Sequence, residues 1–148
     1  MPVRPTGSSL DSRLFVLDTS ALLTLHENEP GAGEVEDIIR QAGALQHVWL
    51  CFMSLMEVSY IIEQRAGIKQ ARQSYSALRQ LPLMVLESDE ALALAAASIK
   101  ANYQVSLGDA WIAATAERLG ATLVHKDPEF EVLATHISLQ ALPYKSLK

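Results

Sequence analysis

The sequence predicts an α/β fold in which helices cover both faces of a parallel sheet. Three observations support this prediction. Short apolar runs, such as 14–17 and 48–52, have the length and composition of buried strands. Segments with apolar residues at helical spacing separate these runs, and a capping residue, glycine or proline stands at most of the junctions. Strands that alternate with helices in this way are typical of parallel sheets buried on both faces.

Most of the predicted helices have a start or stop signal in the sequence. Asp18-Thr19-Ser20 can cap the first helix, and the Glu29-Pro30-Gly31 turn ends it. Ser54, Ser88 and Ser106 are predicted to open later helices, while Gly67, Pro82 and Gly120 are predicted to end helices. The predicted strands are 14–17, 48–52, 83–86, 121–125 and 137–139, and the predicted helices are 21–28, 33–44, 54–66, 68–81, 89–101 and 107–119.

Length and composition indicate one globular domain. A chain of 148 residues can enclose a core, and 49% hydrophobic with 20% charged residues excludes a disordered protein. We expect a flexible N-terminal extension over 1–13, one folded domain over 14–142 and a tail over 143–148. No apolar run approaches the roughly 20 residues of a membrane helix, so we expect no membrane association.

The single cysteine and the net charge bear on location and partners. Cys51 stands in an apolar run and is predicted to be a small buried residue. Because it is the single cysteine, a disulfide within the chain is excluded, which favours a reducing, cytoplasmic location. The net charge of −5 argues against a general nucleic-acid binder. It remains compatible with an enzyme that contacts phosphate through metal ions.

Four acidic residues from distant parts of the chain are predicted to converge. Asp18 and Asp127 follow the first and fourth predicted strands, while Glu57 and Asp109 lie in the first turns of two helices. Ligands of open parallel sheets bind beyond the carboxyl ends of the strands, where all four acids can open. Hard cations such as Mg²⁺ or Mn²⁺ prefer carboxylate oxygens. Two such ions roughly 3.5–4 Å apart can activate a water for attack on a phosphodiester.

Each of these acids also has a purely structural interpretation. Residues 54–57 and 106–109 both fit the S-x-x-[DE] pattern of a helix capping box or a close variant. Asp18 can itself be an N-cap, and Asp127-Pro128 is an ordinary turn opener. The two roles are compatible, because a serine can cap a helix while the acid faces the crevice. The residues alone leave both interpretations open.

Four ordered motifs resemble those of the PIN-domain family, and within it the VapC-type toxin ribonucleases of bacterial toxin–antitoxin systems. The resemblance extends from about Phe15 to Leu133. The family has four patterns in chain order. They are an apolar strand followed by D-[ST]-[SN], then S-x-x-E-[VL], then L-x-D-x-x-I-A-A-T-A, and finally L-V-T-x-D-x-D-F. The matching segments here are VLDTSAL (16–22), SLMEV (54–58), SLGDAWIAATA (106–116) and LVHKDPEF (123–130).

This resemblance implies a fold, a reaction and a set of site residues. The fold is a three-layer α/β/α sandwich with a parallel sheet in the order 3-2-1-4-5. The reaction is Mg²⁺- or Mn²⁺-dependent cleavage of RNA, with a cognate antitoxin protein and a second copy of the chain as expected partners. Asp18, Asp109 and Asp127 become catalytic metal ligands, and Glu57 binds metal or positions the attacking water. Ser20 is expected to support the acids by hydrogen bonding, or to act only as a cap.

Two positions depart from the family pattern. The family commonly has Thr or Ser at the position of His125, where a hydroxyl helps to hold the acidic cluster. Imidazole can do so only in the right tautomer, and we expect a supporting role for it. Glu129 replaces the more usual Asp or His, at a position that is normally peripheral.

Other functions remain open at this point. A PIN-fold nuclease that acts in RNA maturation or on DNA is one alternative, and a catalytically inactive binding module is another. A receiver domain is disfavoured, because adjacent acids after the first strand are not evident. The basic series Arg65, Lys69, Arg72 and Arg79 is interpreted as a solvated face rather than an RNA-backbone track or an antitoxin contact. His26, His47 and His136 show no metal-ligand spacing and are predicted to lie in loops or at the surface.

Overall fold

The computed structural model describes residues 13–146 and contains one five-stranded sheet. All four strand pairings are parallel, and the strand order is β3-β2-β1-β4-β5, which confirms the predicted fold class and order. The extension predicted over 1–13 falls, except for its last residue, outside the described residues. The strands are β1 (Arg13–Leu17), β2 (Gln46–Cys51), β3 (Met84–Leu86), β4 (Thr122–His125) and β5 (Ser138–Ala141).

Six α-helices connect the strands, and a short 3₁₀ helix precedes β5. The bounds agree with the predicted elements to within a few residues, and both Gly67 and Gly120 are confirmed as helix ends. The helices are α1 (Thr19–His26), α2 (Ala32–Arg40), α3 (Phe52–Ala66), α4 (Ile68–Arg79), α5 (Glu90–Asn102) and α6 (Leu107–Leu119), and the 3₁₀ helix is Pro128–Leu133.

The core has two parts, one on each face of the sheet. Successive side chains of a strand point to opposite faces, so Val16 belongs to one cluster and Leu17 to the other. The first cluster contains α5 and α6 residues such as Ile112, and the second contains residues of α1 to α4 such as Val58. Cys51 is fully buried in the first cluster, as predicted. This arrangement gives the three layers of the predicted sandwich.

Two predicted helix starts are wrong. α3 begins at Phe52 with Cys51 as its N-cap, so Ser54 lies inside the helix and is fully buried. The N-cap of α5 is Asp89, whose side chain accepts a hydrogen bond from the Leu92 amide at 2.8 Å, and not Ser88. At α5, serine and aspartate are equally good caps, so the local pattern does not fix which of the two leaves helical geometry. At α3 the N-cap Cys51 forms no side-chain capping bond, so this helix start has no capping signal in the sequence.

The long helices do not resemble membrane spans. Within residues 13–146, none of them is both long enough and apolar enough to cross a bilayer.

Candidate active site

The carboxyl ends of the central strands β1 and β4 lie side by side. Leu17 pairs with Val124, and the next amide, that of Asp18, donates to the Val124 carbonyl at 2.9 Å. The chain therefore leaves β1 at Asp18 next to the segment that leaves β4 toward Asp127. The topology thus brings together two of the predicted acids, which are 109 positions apart in the sequence.

Asp18 caps α1 and is 3% exposed. Its Oδ2 accepts hydrogen bonds from the amide of Ser20, at 3.0 Å, and from the Ser20 hydroxyl. Its Oδ1 is buried and has no hydrogen-bond partner within residues 13–146. Burial raises the pKa of Asp18 to about 6, against the lowering effect of the Ser20 bonds and with further increases from Glu57 and Asp127.

Glu57 reaches the site from the second turn of α3. Its Oε1 accepts a hydrogen bond from the Thr19 hydroxyl at 2.7 Å, and that hydroxyl is 3.1 Å from the Ser54 hydroxyl. Its Oε2 lies against Gly108 at the start of α6, where an added Cβ would be only 2.7 Å away. Ser54 therefore contributes a buried side-chain contact to this corner of the site rather than a helix cap.

Asp109 comes from the first turn of α6. Ser106 is the N-cap of that helix and accepts a hydrogen bond from the Asp109 amide at 3.1 Å, as predicted. The carboxylate lies close enough to Asp18, Asp127 and Glu57 for their charges to act on it. Burial and these three like charges together raise the pKa of Asp109 to about 7, against the lowering effect of a hydrogen bond with the Ser106 side chain.

Asp127 and Glu129 complete the acidic cluster. Asp127 caps the 3₁₀ helix, and its Oδ1 accepts from the Glu129 amide at 2.9 Å. Carboxylate oxygens of Asp109, Asp127 and Glu129 all lie within 4.8 Å of one another. Glu129, which lies at a position expected to be peripheral, is thus close to two of the four predicted acids.

Two side chains hold consecutive backbone amides where the chain leaves β4. The Lys126 amide donates to the Ser20 hydroxyl at 2.9 Å, and the Asp127 amide donates to His125 Nδ1 at 3.2 Å. The Lys126 ammonium is also buried and donates to the Pro30 carbonyl at 2.8 Å. Burial lowers the pKa of His125, which favours the neutral ring.

The cluster has the properties of a site for a hard divalent cation. Several carboxylates share a small volume, and burial together with the repulsion of like charges raises the pKa of Asp18 and Asp109. The Oδ1 of Asp18 is a buried oxygen that accepts no hydrogen bond from any donor in residues 13–146. A bound cation with a preference for oxygen ligands would offset the repulsion between the carboxylates and would give the buried Oδ1 a partner. The residues present therefore fit such an ion.

The remaining sequence candidates lie elsewhere. His136 pairs with Glu117 at 2.6 Å, His26 is exposed, and His47 is half-buried in β2. The basic residues of α3 and α4 are exposed, in agreement with a solvated face; they are Arg65, Lys69, Arg72 and Arg79.

Comparison with known families places this chain in a class. The family model described as the PIN domain matches residues 15–135, and the chain belongs to the PIN domain family. PIN nucleases generally use divalent metal ions, which agrees with the acidic cluster. Comparison with curated protein sequences gave no significant match.

Solved structures share the fold at low sequence identity. VapBC2 of Rickettsia felis, bound to a DNA fragment from the promoter, matches with a TM-score of 0.70 and 13% identity over 88% of this chain and 99% of that one. VapBC of Salmonella typhimurium, also bound to DNA, matches with a TM-score of 0.70 and 21% identity over 87% and 98%. VapC20 of Mycobacterium tuberculosis, a toxin that cleaves the sarcin–ricin loop, matches with 0.68 and 16% over 87% and 99%.

Proposed function

We propose that this protein is a metal-dependent endoribonuclease that hydrolyses phosphodiester bonds in RNA, and that it is the toxin of a toxin–antitoxin pair. The observation that carries the proposal is the buried Oδ1 of Asp18, which lies among acids from other segments and has no hydrogen-bond partner in the described part of the chain. A carboxylate in that setting is costly unless a cation binds it. Mg²⁺ or Mn²⁺ is the proposed cofactor, because both prefer oxygen ligands.

Each acid has a distinct task in this proposal. Asp18 is the central ligand, Asp109 and Asp127 bind beside it, and Glu57 binds metal or orients the attacking water. The bound metal supplies an activated water and stabilises negative charge on the phosphate. Ser20 fixes Asp18 Oδ2 through its hydroxyl, which leaves Oδ1 directed away from that bond.

RNA is the proposed substrate although the chain is acidic. Four of its 17 acidic residues are the proposed ligands, and divalent cations at that site would offset their charge. The resemblance of the fold to the RNA-cleaving toxin VapC20 supports the same substrate class. Because the remaining surface is close to neutral, we expect modest RNA affinity that depends on the metal.

A protein partner and a cytoplasmic location complete the proposal. The structurally similar VapBC proteins of Rickettsia felis and Salmonella typhimurium are toxin–antitoxin pairs, which supports a cognate antitoxin here. A cleft of about 330 Å³ between α1, α3 and α4 is lined by apolar side chains that such a partner could contact; these include Leu22, Leu25, Val58, Ile62, Leu78 and Leu81. We further propose that the toxin pairs as a homodimer.

Induced expression followed by mapping of cleaved ends in total RNA tests this function. We expect new, discrete RNA ends with the wild type and none with Asp109→Asn, which removes a charge but keeps the shape of the side chain. Purified wild type should lose cleavage on chelation and regain it with Mn²⁺. The same ends in both strains, or cleavage that persists after chelation, would contradict the proposal.

A further inference from the structure

The ring of His125 is buried at the end of β4 and is 1% exposed. Its Nδ1 accepts the hydrogen bond from the Asp127 backbone amide. A ring nitrogen that accepts a hydrogen bond carries no proton, so the imidazole is neutral and its single proton is on Nε2. Nε2 is buried and has no partner within the described part of the chain. One side of the ring is thus used for Asp127, and the other side is left without a polar contact.

Neighbouring segments fix both the ring and the backbone of His125. The ring lies 5.2 Å from the Phe130 ring and 6.1 Å from the Tyr144 ring, measured between centroids. Tyr144 is itself anchored, because its hydroxyl donates to Glu131 at 2.7 Å. The His125 carbonyl accepts from the Leu142 amide at 2.7 Å. The segment that follows β5 therefore packs directly on the residue that contacts Asp127.

The His125 contact is one of two that act on neighbouring peptide groups. Ser20 binds the amide of Lys126, and His125 binds the amide of Asp127. The Ser20 hydroxyl also contacts Asp18, so it connects the two strand ends. His125 acts on Asp127 alone, through the backbone rather than through the carboxylate. Loss of its acceptor would free the Asp127 peptide while the contact at Lys126 remained.

We propose that His125 is a positioning residue for Asp127: a neutral imidazole whose Nδ1 fixes the Asp127 backbone, with Tyr144 keeping the ring in that orientation. The effect on metal binding rests on the proposed function. The placement of the Asp127 amide does not, and it can be measured in metal-free protein. The competing explanation is that His125 only fills space in the core.

Nitrogen NMR of the labelled, metal-free protein tests the ring directly. Near neutral pH we expect long-range ¹H–¹⁵N correlations of one histidine to show a protonated Nε2 and an unprotonated Nδ1. That set of signals should disappear in His125→Asn and persist in His26→Asn, which changes an exposed histidine. The Asp127 amide should exchange slowly with solvent in the wild type. A proton on Nδ1, or an Asp127 amide that exchanges as fast as an exposed one, would overturn the proposal.

A pair of variants separates positioning from packing. His125→Asn keeps an acceptor close to the position of Nδ1, whereas His125→Leu keeps an apolar side chain of similar bulk and removes the acceptor. We expect the Mn²⁺ dissociation constant from calorimetry to rise about 10- to 100-fold in the Leu variant, and to be largely restored in the Asn variant. His26→Leu should leave it unchanged.

Each result of the pair bears on one proposal. If the folded Leu variant binds Mn²⁺ as tightly as the wild type and only its melting temperature falls, His125 is a packing residue. If the Leu variant does not fold, the Asn variant tests the positioning role instead. An Asp127 amide that exchanges fast in the Asn variant, while the Mn²⁺ affinity is unchanged, would show that His125 does not position Asp127 for metal binding. If the wild type binds no Mn²⁺, the metal site fails while the NMR result still decides the role of the ring.

Discussion

Asp18 and Asp89 both cap helices in this protein, yet their surroundings give them opposite charge properties. Each has extended backbone and accepts a hydrogen bond from an amide in the first turn of its helix. Asp89 is exposed and forms two hydrogen bonds with Arg118, which lower its pKa to about 2. Asp18 is buried beside other acids and has no basic partner among the residues that the structure describes, and burial raises its pKa to about 6.

The difference shows that two aspartates with the same capping role can have opposite pKa shifts. A helix N-terminus stabilises negative charge, and both aspartates benefit from it. At Asp18 the cost of burial and the repulsion from Glu57 and Asp127 outweigh that benefit. The local sequence around each aspartate indicates only that it caps a helix. The surrounding tertiary structure distinguishes an acid buried among like charges from one that pairs with an arginine.

The largest expected effect is on cleavage. Asp18→Asn should lower the rate of RNA cleavage by about 10²-fold or more, the order of loss when one group that stabilises a transition state is removed. Asp89→Asn should leave the rate unchanged, because it alters a cap on the exposed end of α5. Steady-state cleavage of a labelled RNA with saturating Mn²⁺ measures both.

The Asp89 variant serves as the matched control for this comparison, since it makes the same chemical change at a similar local position. Circular dichroism should show that both variants are folded. Because asparagine caps a helix as well as aspartate does, both variants keep the cap and lose only the charge. Equal losses of activity would mean that the loss of a charge at any helix start, and not the acidic cluster, explains the effect at Asp18.

The next effect is on stability as a function of pH. Asp18 and Asp109 have raised pKa values in the folded protein, about 6 and about 7, so the folded state binds more protons than the unfolded state. Below about pH 4, near the pKa of an aspartate in the unfolded chain, their contribution to the free energy of unfolding is fully present. It is lost as the pH rises through their folded-state pKa values. The melting temperature of metal-free protein should therefore fall between about pH 5 and about pH 8.

Two variants separate the groups behind this pH dependence. Asp109→Asn should flatten the fall and raise the melting temperature at the alkaline end, as should Mn²⁺ added to the wild type. Asp89 has a lowered pKa, so its contribution is present above the unfolded value and is lost only as pH falls toward 2. Asp89→Asn should leave the slope above pH 5 intact. An unchanged slope in Asp109→Asn would contradict the assignment.

The smallest expected effect concerns Glu129. Its carboxylate lies within 4.8 Å of oxygens of Asp109 and Asp127, but the side chain is exposed, so we expect it to add less than the buried acids. Glu129→Gln should weaken Mn²⁺ binding by up to about 10-fold. Glu90→Gln changes an exposed glutamate in the first turn of α5 and should have no effect. Calorimetric titrations that do not distinguish the two variants would exclude Glu129 from the site.

The sequence predicts the fold well because its signals are local and agree with one another. Short apolar runs, the Ser106 cap and the Gly120 stop each fix an element without reference to the rest of the chain. The strand order came from the family resemblance, and all four pairings confirm it. The structure places the four predicted acids in one neighbourhood, where the charges of the others raise the pKa of Asp109.

The features that the sequence could not supply are all contacts between distant segments. The sequence predicts that Ser54 is a helix cap, yet its hydroxyl contacts that of Thr19, 35 positions earlier. The sequence predicts a peripheral position for Glu129, but the 3₁₀ helix places its carboxylate near that of Asp109. The contact of His125 with the Tyr144 ring requires knowledge of where the chain runs after β5. Each of these depends on the three-dimensional path of the backbone.

Gly108 has a consequence for how variants of this protein are interpreted. An alanine there would bring its Cβ to 2.7 Å from Glu57 Oε2, at the free end of a flexible side chain. The carboxylate would move away, and the backbone could stay where it is. Gly108→Ala would therefore keep every acid in the sequence and still displace one of them. An inventory of acids alone would count that variant as intact, although one methyl group has changed the position of Glu57.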